Sequence, residues 1–287
     1  MISINGIPYQ QPNIWPIGSI EHTIFQQLIK DPSIHHYQTI NDALFEIELR
    51  KNIILSARAM SRSNAEFETL EKSRGNPAYW QMTNRGGFQL KPGVWPSAAI
   101  RDIFSNSSLY AFECATAIII IYYYAVLNTI GDALFNQLFP HLYLYSWHSS
   151  TELGVHTIDT DYFIAGDVIY FKNPDFDPNA AEWRGENTVL LEDGTFFGHG
   201  LEIGPADQII QALNDKRKPG STRSAYMKDA ATRLSFNQLA HFSPSQNYPF
   251  YRTEHLILHH NKSSIPFKKY VFYLNQLYAQ LNQQNPL

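Results

Sequence analysis

The spacing of apolar side chains predicts a helical first half of the chain. The strongest helical pattern begins after Thr39, which suits the N-cap position, and Asp42 lies in the first turn, where the helix dipole favours an anion. Other segments with helical spacing or composition are 19–29, 61–75, 96–104, 111–129 and the turns up to 139. A β-hairpin is predicted over 79–90, around a turn rich in glycine.

Beyond residue 142 the pattern changes to short segments of strand type. Strands are predicted at 143–147, 162–164 and 167–171. The Asp193-Gly194 turn predicts a hairpin that joins 188–191 to 195–197. Helices are predicted at 206–214, at 224–233 and, after an aromatic loop over 236–261, at 268–284.

Helices followed by antiparallel strands are typical of the α+β class rather than of alternating βαβ units. We therefore expect one α+β domain over residues 1–234. Within it, residues 1–36 wrap the surface as extended chain with one short helix. Residues 235–287 form an extension that ends in a helix and packs on the same domain.

Composition narrows the classes of function. Hydrophobic residues make up 44% of the 287 residues, enough for a large core, and the net charge of −4 argues against a nucleic-acid partner. The apolar run at 115–127 is too short to span a bilayer, so no membrane partner is expected. The first residues lack a basic segment followed by an apolar one, which predicts synthesis in the cytoplasm without a signal peptide.

Cys114 is the single cysteine of the chain, so it cannot form an internal disulfide, and structural zinc sites need several cysteine or histidine ligands. Two interpretations remain: an inert buried side chain or a nucleophile. Its place in the first turn of the predicted 111–129 helix favours the nucleophile, because a helix N-terminus lowers the pKa of a thiol.

His199 is the best-placed of the eleven histidines to act as a base. It follows the second strand of the predicted hairpin, between Gly198 and Gly200, which leave room beside the imidazole. The orienting acid is either Glu186, predicted to lie across the hairpin from His199, or Glu113, which is adjacent to the cysteine in sequence. Each of these residues also has a purely structural interpretation.

No cofactor or functional metal is expected. The sequence has no glycine-rich nucleotide-binding pattern and no His-Glu-x-x-His motif. His255, His259 and His260 have a spacing compatible with a metal, but no carboxylate stands at ligand spacing beside them.

Four segments resemble a known family: 110–123 around the cysteine, 170–178, 183–187 and 198–200. Together they closely resemble the spore-coat transglutaminases of Bacillus and its relatives, which are protein-glutamine γ-glutamyltransferases. The similarity runs from about residue 37 to residue 233. It implies a papain-like, NlpC-type core, with the catalytic cysteine at a helix N-terminus packed on an antiparallel sheet, and an activity independent of calcium.

The resemblance also implies roles for individual residues. The matching positions are the nucleophile Cys114, the histidine His199, the glutamates Glu186 and Glu113, and the tunnel walls Trp147, Trp183 and Phe67. Cys114 would form a thioester with a protein glutamine and release ammonia, and a lysine amine would then take the acyl group. His199 would shuttle protons. Glu186 would orient His199 or take the lysine proton, with Glu113 as a substitute.

The implied substrates are proteins that carry glutamine and lysine, above all spore-coat proteins, and the implied location is the spore coat. Self-cross-linking at Gln276, Gln280, Gln283 or Gln284 is a further expectation. Two alternatives stay open: a cysteine amidohydrolase or peptidase of the same fold that uses water as acceptor, and a coat component without catalytic activity.

Overall fold

The structure is a computed structural model of the chain, and it describes residues 1–9 and 14–242 together with the backbone of two strands near the C-terminal end. The chain divides into two compact units, Met1–Gln246 and Asn247–Leu287. The second unit contains an antiparallel hairpin of β14 (Ile257–His260) and β15 (Ser263–Pro266). The helix predicted at 268–284 lies outside the described residues.

The helices of the first unit are α1 (Ile20–Lys30), α2 (Ile40–Ser61), α3 (Pro96–Ser105), α4 (Cys114–Ile130), α5 (Asp132–Leu138), α6 (Ala206–Asn214) and α7 (Phe236–Ala240). Thr39 caps α2 as predicted, because its side chain accepts from the Asp42 amide while the Asp42 side chain accepts from the Thr39 amide. Among the helices that the structure describes, none combines the length and the apolar character needed to cross a membrane.

The strands of the first unit are β1 (Ile2–Ile4), β2 (Ile7–Pro8), β3 (His35–Tyr37), β4 (Glu66–Phe67), β5 (Trp80–Met82), β6 (Phe88–Leu90), β7 (Ala111–Phe112), β8 (Tyr143–Leu144), β9 (His156–Asp159), β10 (Val168–Lys172), β11 (Gly185–Leu190), β12 (Phe196–Gly198) and β13 (Tyr226–Arg233). The largest sheet has the order β12-β11-β10-β13-β9, and every pair in it is antiparallel. The predicted mixture of helices and antiparallel sheet is therefore confirmed.

Helix α4 is the centre of this architecture. Fourteen of its seventeen residues are buried, and it packs against α2 on one side and against β11 of the large sheet on another. A helix that is apolar all round has to be buried in this way. The pairing of β7 with β4 takes up Ala111 and Phe112, so the helix begins at Cys114 rather than at 111 as predicted.

Three predicted elements are wrong. The helix predicted at 224–233 is instead the strand β13 at Tyr226–Arg233, because pairing with both β10 and β9 overrides the helix propensity of its Ala, Met and Lys residues. Residues 61–75 contain β4 and a single 3₁₀ turn instead of a helix. Residues 162–164 form no strand, because the amide of Ile164 donates to the Asp167 carboxylate in a turn, and the edge strand of this region is β9.

The N-terminal segment is more regular than the predicted extended wrapping. β1 pairs with β2 in antiparallel fashion and with β3 in parallel fashion, which forms a small three-stranded sheet. At its C-terminal end the compact unit extends past the predicted boundary at residue 234, since α7 packs on α2.

A buried ion-pair network joins α2 to the large sheet. Arg50 donates to Glu46 and to Asp167, both at 2.8 Å, and Arg233 at the end of β13 donates to both oxygens of Asp167 at 2.7 and 2.6 Å. Tyr37 donates to the other oxygen of Glu46 at 2.8 Å. Burial acts to raise the pKa of Asp167, but Arg50 and Arg233 outweigh it, so the pKa is lowered.

We expect Asp167→Asn to lower the free energy of unfolding by about 3–5 kcal/mol at pH 7, because it leaves two buried guanidinium groups without their shared counter-charge. A carboxylate with a lowered folded-state pKa stabilises the fold above its unfolded-state pKa of about 3.9, and this contribution is lost as the pH falls. The difference in the free energy of unfolding between the variant and the wild type, measured by urea unfolding, should therefore become smaller below about pH 4.

The matched control is Asp229→Asn, which alters an exposed aspartate on β13. It should change the free energy of unfolding by no more than about 0.5 kcal/mol. Equal effects of the two substitutions at neutral pH would contradict a structural role for the network.

Candidate active site

Cys114 is the first residue of α4, and the residue before it closes the end of the helix. Glu113 is the N-cap: its carboxylate accepts hydrogen bonds from the amides of Ala115 and Thr116, both at 2.7 Å. These are two of the donors that the first turn of a helix leaves unpaired. The sulfur of Cys114 thus lies beside a helix N-terminus that already holds an anion.

The same carboxylate positions the loop that carries Trp147. The hydroxyl of Thr116 donates to Glu113 at 2.8 Å and accepts from the amide of Ser146 at 2.9 Å. Ser146 has a positive φ of 47°, a conformation that non-glycine residues rarely adopt. The hydrogen-bond chain from Glu113 through Thr116 holds this turn against α4 and so fixes the backbone next to Trp147.

Glu186 is fully buried on β11, and neither of its carboxylate oxygens has a partner at hydrogen-bond geometry. The thiol of Cys114 and the backbone amide of His199 are the polar groups that approach it closely enough to lower its pKa. Burial outweighs both of them, and the charge of Glu113 adds to burial, so the pKa of Glu186 is well above its usual range. An unpartnered buried carboxyl is costly for the fold, which makes it a strong candidate for a functional group.

The pKa of the Cys114 thiol is also well above its ordinary value. Burial is the main cause, and the negative charges of Glu186 and Glu113 act in the same direction. The opposing influence comes from Asn187, first from its backbone amide and then from its side-chain amide, which donates a hydrogen bond to Cys114 Sγ at 3.3 Å. The thiol and the Glu186 carboxyl are therefore close neighbours that disfavour ionisation of each other.

His199 is buried in a pocket of aromatic rings and backbone carbonyls. Its ring stacks on Phe112 with centroids 4.8 Å apart, and Nε2 lies 3.2 Å from the carbonyl oxygen of Glu66. Burial lowers the pKa of His199 to about 4, although the carbonyls of Glu66 and Phe112 oppose this. The imidazole is thus neutral at pH 7, and no hydrogen bond joins it to Cys114 in the described part of the chain.

The two glycines beside His199 make room for its neighbours. A Cβ on Gly198 would lie 3.0 Å from Cγ of Glu186, and one on Gly200 would lie 2.8 Å from Cβ and Cγ of Phe67. Gly200 also has a φ of 92°, which strains any other residue. The sequence predicted that these glycines leave space around the imidazole, and in the structure they admit the carboxylate and an aromatic wall.

A cavity of about 930 Å³ opens over Cys114. Phe67 and Trp147 line it, as do Glu113 and Asn187. Trp183 does not line this cavity itself. It packs against Phe67 with ring centroids 5.2 Å apart. The structure therefore places Glu113, Phe67 and Trp147 at the cavity over Cys114 and Glu186 beside the sulfur, while His199 and Trp183 do not line the cavity and each pack against Phe67.

Asn187 was not singled out by sequence reasoning, although it stands inside the segment 183–187 that carries the family resemblance. The sequence predicted the hairpin with its three-residue turn, and β11 and β12 pair in that register from Thr188–Gly198 to Leu190–Phe196. The missing information was which side chain of β11 reaches the sulfur, which depends on how the strand packs against α4. His199 lies one residue past the paired part of β12, so the prediction that Glu186 lies across the hairpin from it stays a prediction.

The residues that the structure describes contain no group of three or more His, Cys, Asp or Glu side chains arranged to hold a metal ion. His255 lies outside the described residues, and for His259 and His260 only the backbone of β14 is described. The expectation that this histidine cluster holds no functional metal therefore stays a prediction.

Comparison with known proteins gives one consistent result. The family described as protein-glutamine gamma-glutamyltransferase matches residues 1–243. A relative of that name from Halalkalibacterium halodurans is 44% identical over 278 residues, covering 96% of this chain and 98% of the relative. Another from Bacillus subtilis is 43% identical and covers 83% of this chain and 98% of its own length.

A solved structure is also similar. The transglutaminase from Geobacillus stearothermophilus, without its C-terminal extension, superposes with a TM-score of 0.69 at 49% sequence identity. The match covers 71% of this chain and 98% of the other. The Halalkalibacterium halodurans relative, by contrast, covers nearly the whole chain, so its similarity reaches into the segment 235–287.

We expect the alkylation of Cys114 by iodoacetamide to report the raised pKa of its thiol. Thiolate is the reactive form, so the rate should be at least about tenfold below that of a small thiol at pH 7.5 and should still rise above pH 9. Glu186→Gln removes a nearby negative charge and should move the rate profile to lower pH. The labelling is specific because the chain has one cysteine.

Glu202→Gln, which alters an exposed glutamate, is the control and should leave the profile unchanged. A slow rate that levels off near the ordinary thiol pKa of about 8.5 would attribute the slowness to poor access and would contradict the raised pKa.

Proposed function

The chain belongs to the protein-glutamine γ-glutamyltransferase family, and on this premise we propose that Cys114 is the nucleophile of its transglutaminase reaction. The enzyme transfers the acyl group of a protein glutamine to the amine of a protein lysine and releases ammonia. The observation that carries the assignment is the position of the one cysteine: it begins a buried helix, faces a large cavity and lies beside an unpartnered carboxyl.

We propose that the first proton transfer takes place between Cys114 and Glu186. The thiol proton of Cys114 passes to the Glu186 carboxylate, and the thiolate attacks the γ-carboxamide carbon of the glutamine. Neither oxygen of Glu186 is held by another donor, so either is available for this proton. A carboxyl with a raised pKa is suited to accept and return a proton near neutral pH.

The tetrahedral intermediate then collapses: the C–N bond breaks, the leaving nitrogen takes the proton held by Glu186 and departs as ammonia, and a thioester remains on Cys114. Glu113 already accepts from the amides of Ala115 and Thr116, so the amide of Cys114 itself is the donor of the first turn that we assign to the oxyanion. Because its carboxylate is occupied in this way, we assign Glu113 the role of helix cap rather than its predicted role as a substitute acid.

The second half-reaction reverses the first with a different acceptor. The lysine amine attacks the thioester carbon, the C–S bond breaks, and the amine proton returns through Glu186 to regenerate the thiol. His199 is neutral before the reaction, so its role as a proton shuttle requires that it gain a proton during turnover. Phe67 and Trp147, with Trp183 behind Phe67, would keep water from the thioester so that the amine reacts first.

Two further features of the family resemblance are part of the proposal. The first is a papain-like core, which is supported by a cysteine at the start of α4 and a histidine just after β12 of the antiparallel sheet. The second is activity without calcium, which is supported by the carboxylates around Cys114: Glu113 is used as a helix cap, and Glu186 is buried beside the sulfur.

An assay of ammonia release from a glutamine peptide, with and without a primary amine, tests this function. The wild type should release ammonia faster with the amine and should form an isopeptide bond at an unchanged rate in EGTA. Cys114→Ala should form no measurable product. Glu186→Gln should lower kcat about 100-fold or more, because general acid–base catalysis contributes on that scale.

Glu202→Gln, an exposed glutamate outside the cavity, should have wild-type kinetics. Equal ammonia release without amine and no isopeptide product would identify a hydrolase instead. Product formation by Cys114→Ala would remove the cysteine from the mechanism.

We also propose that the substrates are spore-coat proteins, together with the enzyme's own C-terminal glutamines. The proposal is supported by the family resemblance and by relatives from several Bacillus species. Mass spectrometry of extracted coats should find isopeptide links that depend on this enzyme, some at Gln276, Gln280, Gln283 or Gln284. Coats with unchanged cross-links after loss of the enzyme would contradict it.

A further inference from the structure

We propose that Asn187 is a positioning residue for the cysteine chemistry: its side-chain amide holds Cys114 Sγ and stabilises the thiolate when the proton leaves. The inference rests on the proposed role of Cys114 as nucleophile. It assigns a function to a side chain that is neither an acid nor a base and that directly follows Glu186 on β11.

The contact is direct and enclosed. Asn187 Nδ2 lies 3.3 Å from Cys114 Sγ, and each residue is 8% exposed. Nitrogen donors approach sulfur at longer distances than they approach oxygen, so this separation is a hydrogen bond rather than a loose contact. Asn187 also lines the cavity over the sulfur, which places its amide at the surface where the substrate carboxamide must enter.

The position of Asn187 on β11 explains why it is fixed there. Its backbone pairs with Tyr170 of β10, and the next residue of β11, Thr188, pairs with Gly198 of β12. Glu186, one residue earlier, pairs with Phe171. Successive residues of a strand face opposite sides, so the strand presents a carboxyl and an amide in different directions from adjacent positions.

The electrostatic surroundings make such a donor necessary. Glu186 and Glu113 both disfavour a negative charge on the sulfur, and His199 is neutral and does not offset them. Asn187 favours the thiolate through its backbone amide and also through its side-chain amide, and the side-chain contribution is the one that a substitution removes. A neutral amide suits this place because its hydrogen bond strengthens as the sulfur becomes charged, while it takes no proton from either carboxyl.

The test measures the pH profile of Cys114 alkylation by iodoacetamide in the full-length chain, together with kcat and KM of the amine transfer. The variants are Asn187→Ala, which removes the donor and opens space, and Asn187→Leu, which removes the donor and keeps a similar volume. Both should shift the alkylation profile to higher pH by about one unit, a tenfold smaller thiolate population at a given pH.

Both variants should also lower kcat about tenfold or more and change KM less than about threefold, because the interaction strengthens when charge develops on the sulfur. The control is Asn52→Ala. Asn52 is equally buried, at 8% exposure, and its amide donates to the Thr129 hydroxyl at 2.9 Å, at the other end of α4. This variant should lose stability and keep the wild-type alkylation profile.

The proposal fails if either folded variant alkylates with the wild-type pH profile, since a purely structural asparagine would affect stability alone. It also fails if Asn187→Leu restores the wild-type profile while Asn187→Ala does not, because the effect would then come from packing. Failure of the proposed function is a separate result: Cys114→Ala would still form product, whatever the alkylation profiles of the Asn187 variants.

Discussion

The burial of α4 on nearly all sides is the constraint on which the rest of the structure depends. A helix packed between α2 and the large sheet cannot leave the donors of its first turn to water, so the protein must supply an acceptor for them. Glu113 supplies it, and through Thr116 the same carboxylate fixes the turn beside Trp147. The N-terminal end of α4, which begins with Cys114, thereby lines the cavity.

The chemistry of the site follows from this arrangement. Usually a helix N-terminus promotes a thiolate, but here a glutamate already occupies the positive end, and a second buried glutamate lies beside the sulfur. Both groups therefore disfavour ionisation, and in the proposed mechanism reactivity depends on how a proton is exchanged between the Cys114 thiol and the Glu186 carboxyl. In the Arg50 network, by contrast with Cys114 and Glu186, every charged group has a partner of opposite charge. This network joins α2 to the large sheet.

Sequence reasoning could predict the features of this site that depend on local signals. The capping of α2 by Thr39, the hairpin at Asp193-Gly194 and the helix that begins near Cys114 are all set by residues close to one another in the chain. The prediction was incomplete where distant pairing decides. Residues 226–233 become a strand because β9 and β10 flank them, and Asn187 meets the sulfur because β11 packs against α4, which is distant from it in the chain.

The unpartnered carboxyl of Glu186 has a consequence for how such an enzyme can be improved. A buried acid with no hydrogen-bond partner destabilises the fold, and most substitutions that remove it would relieve that cost. Selection for heat resistance alone would therefore favour variants in which this position has become amide or apolar. The thermostable proteins obtained in this way would keep the cavity, the cysteine and the fold, and would lack the reaction. Any search for a more robust form of this enzyme thus has to select for turnover and heat resistance in the same experiment.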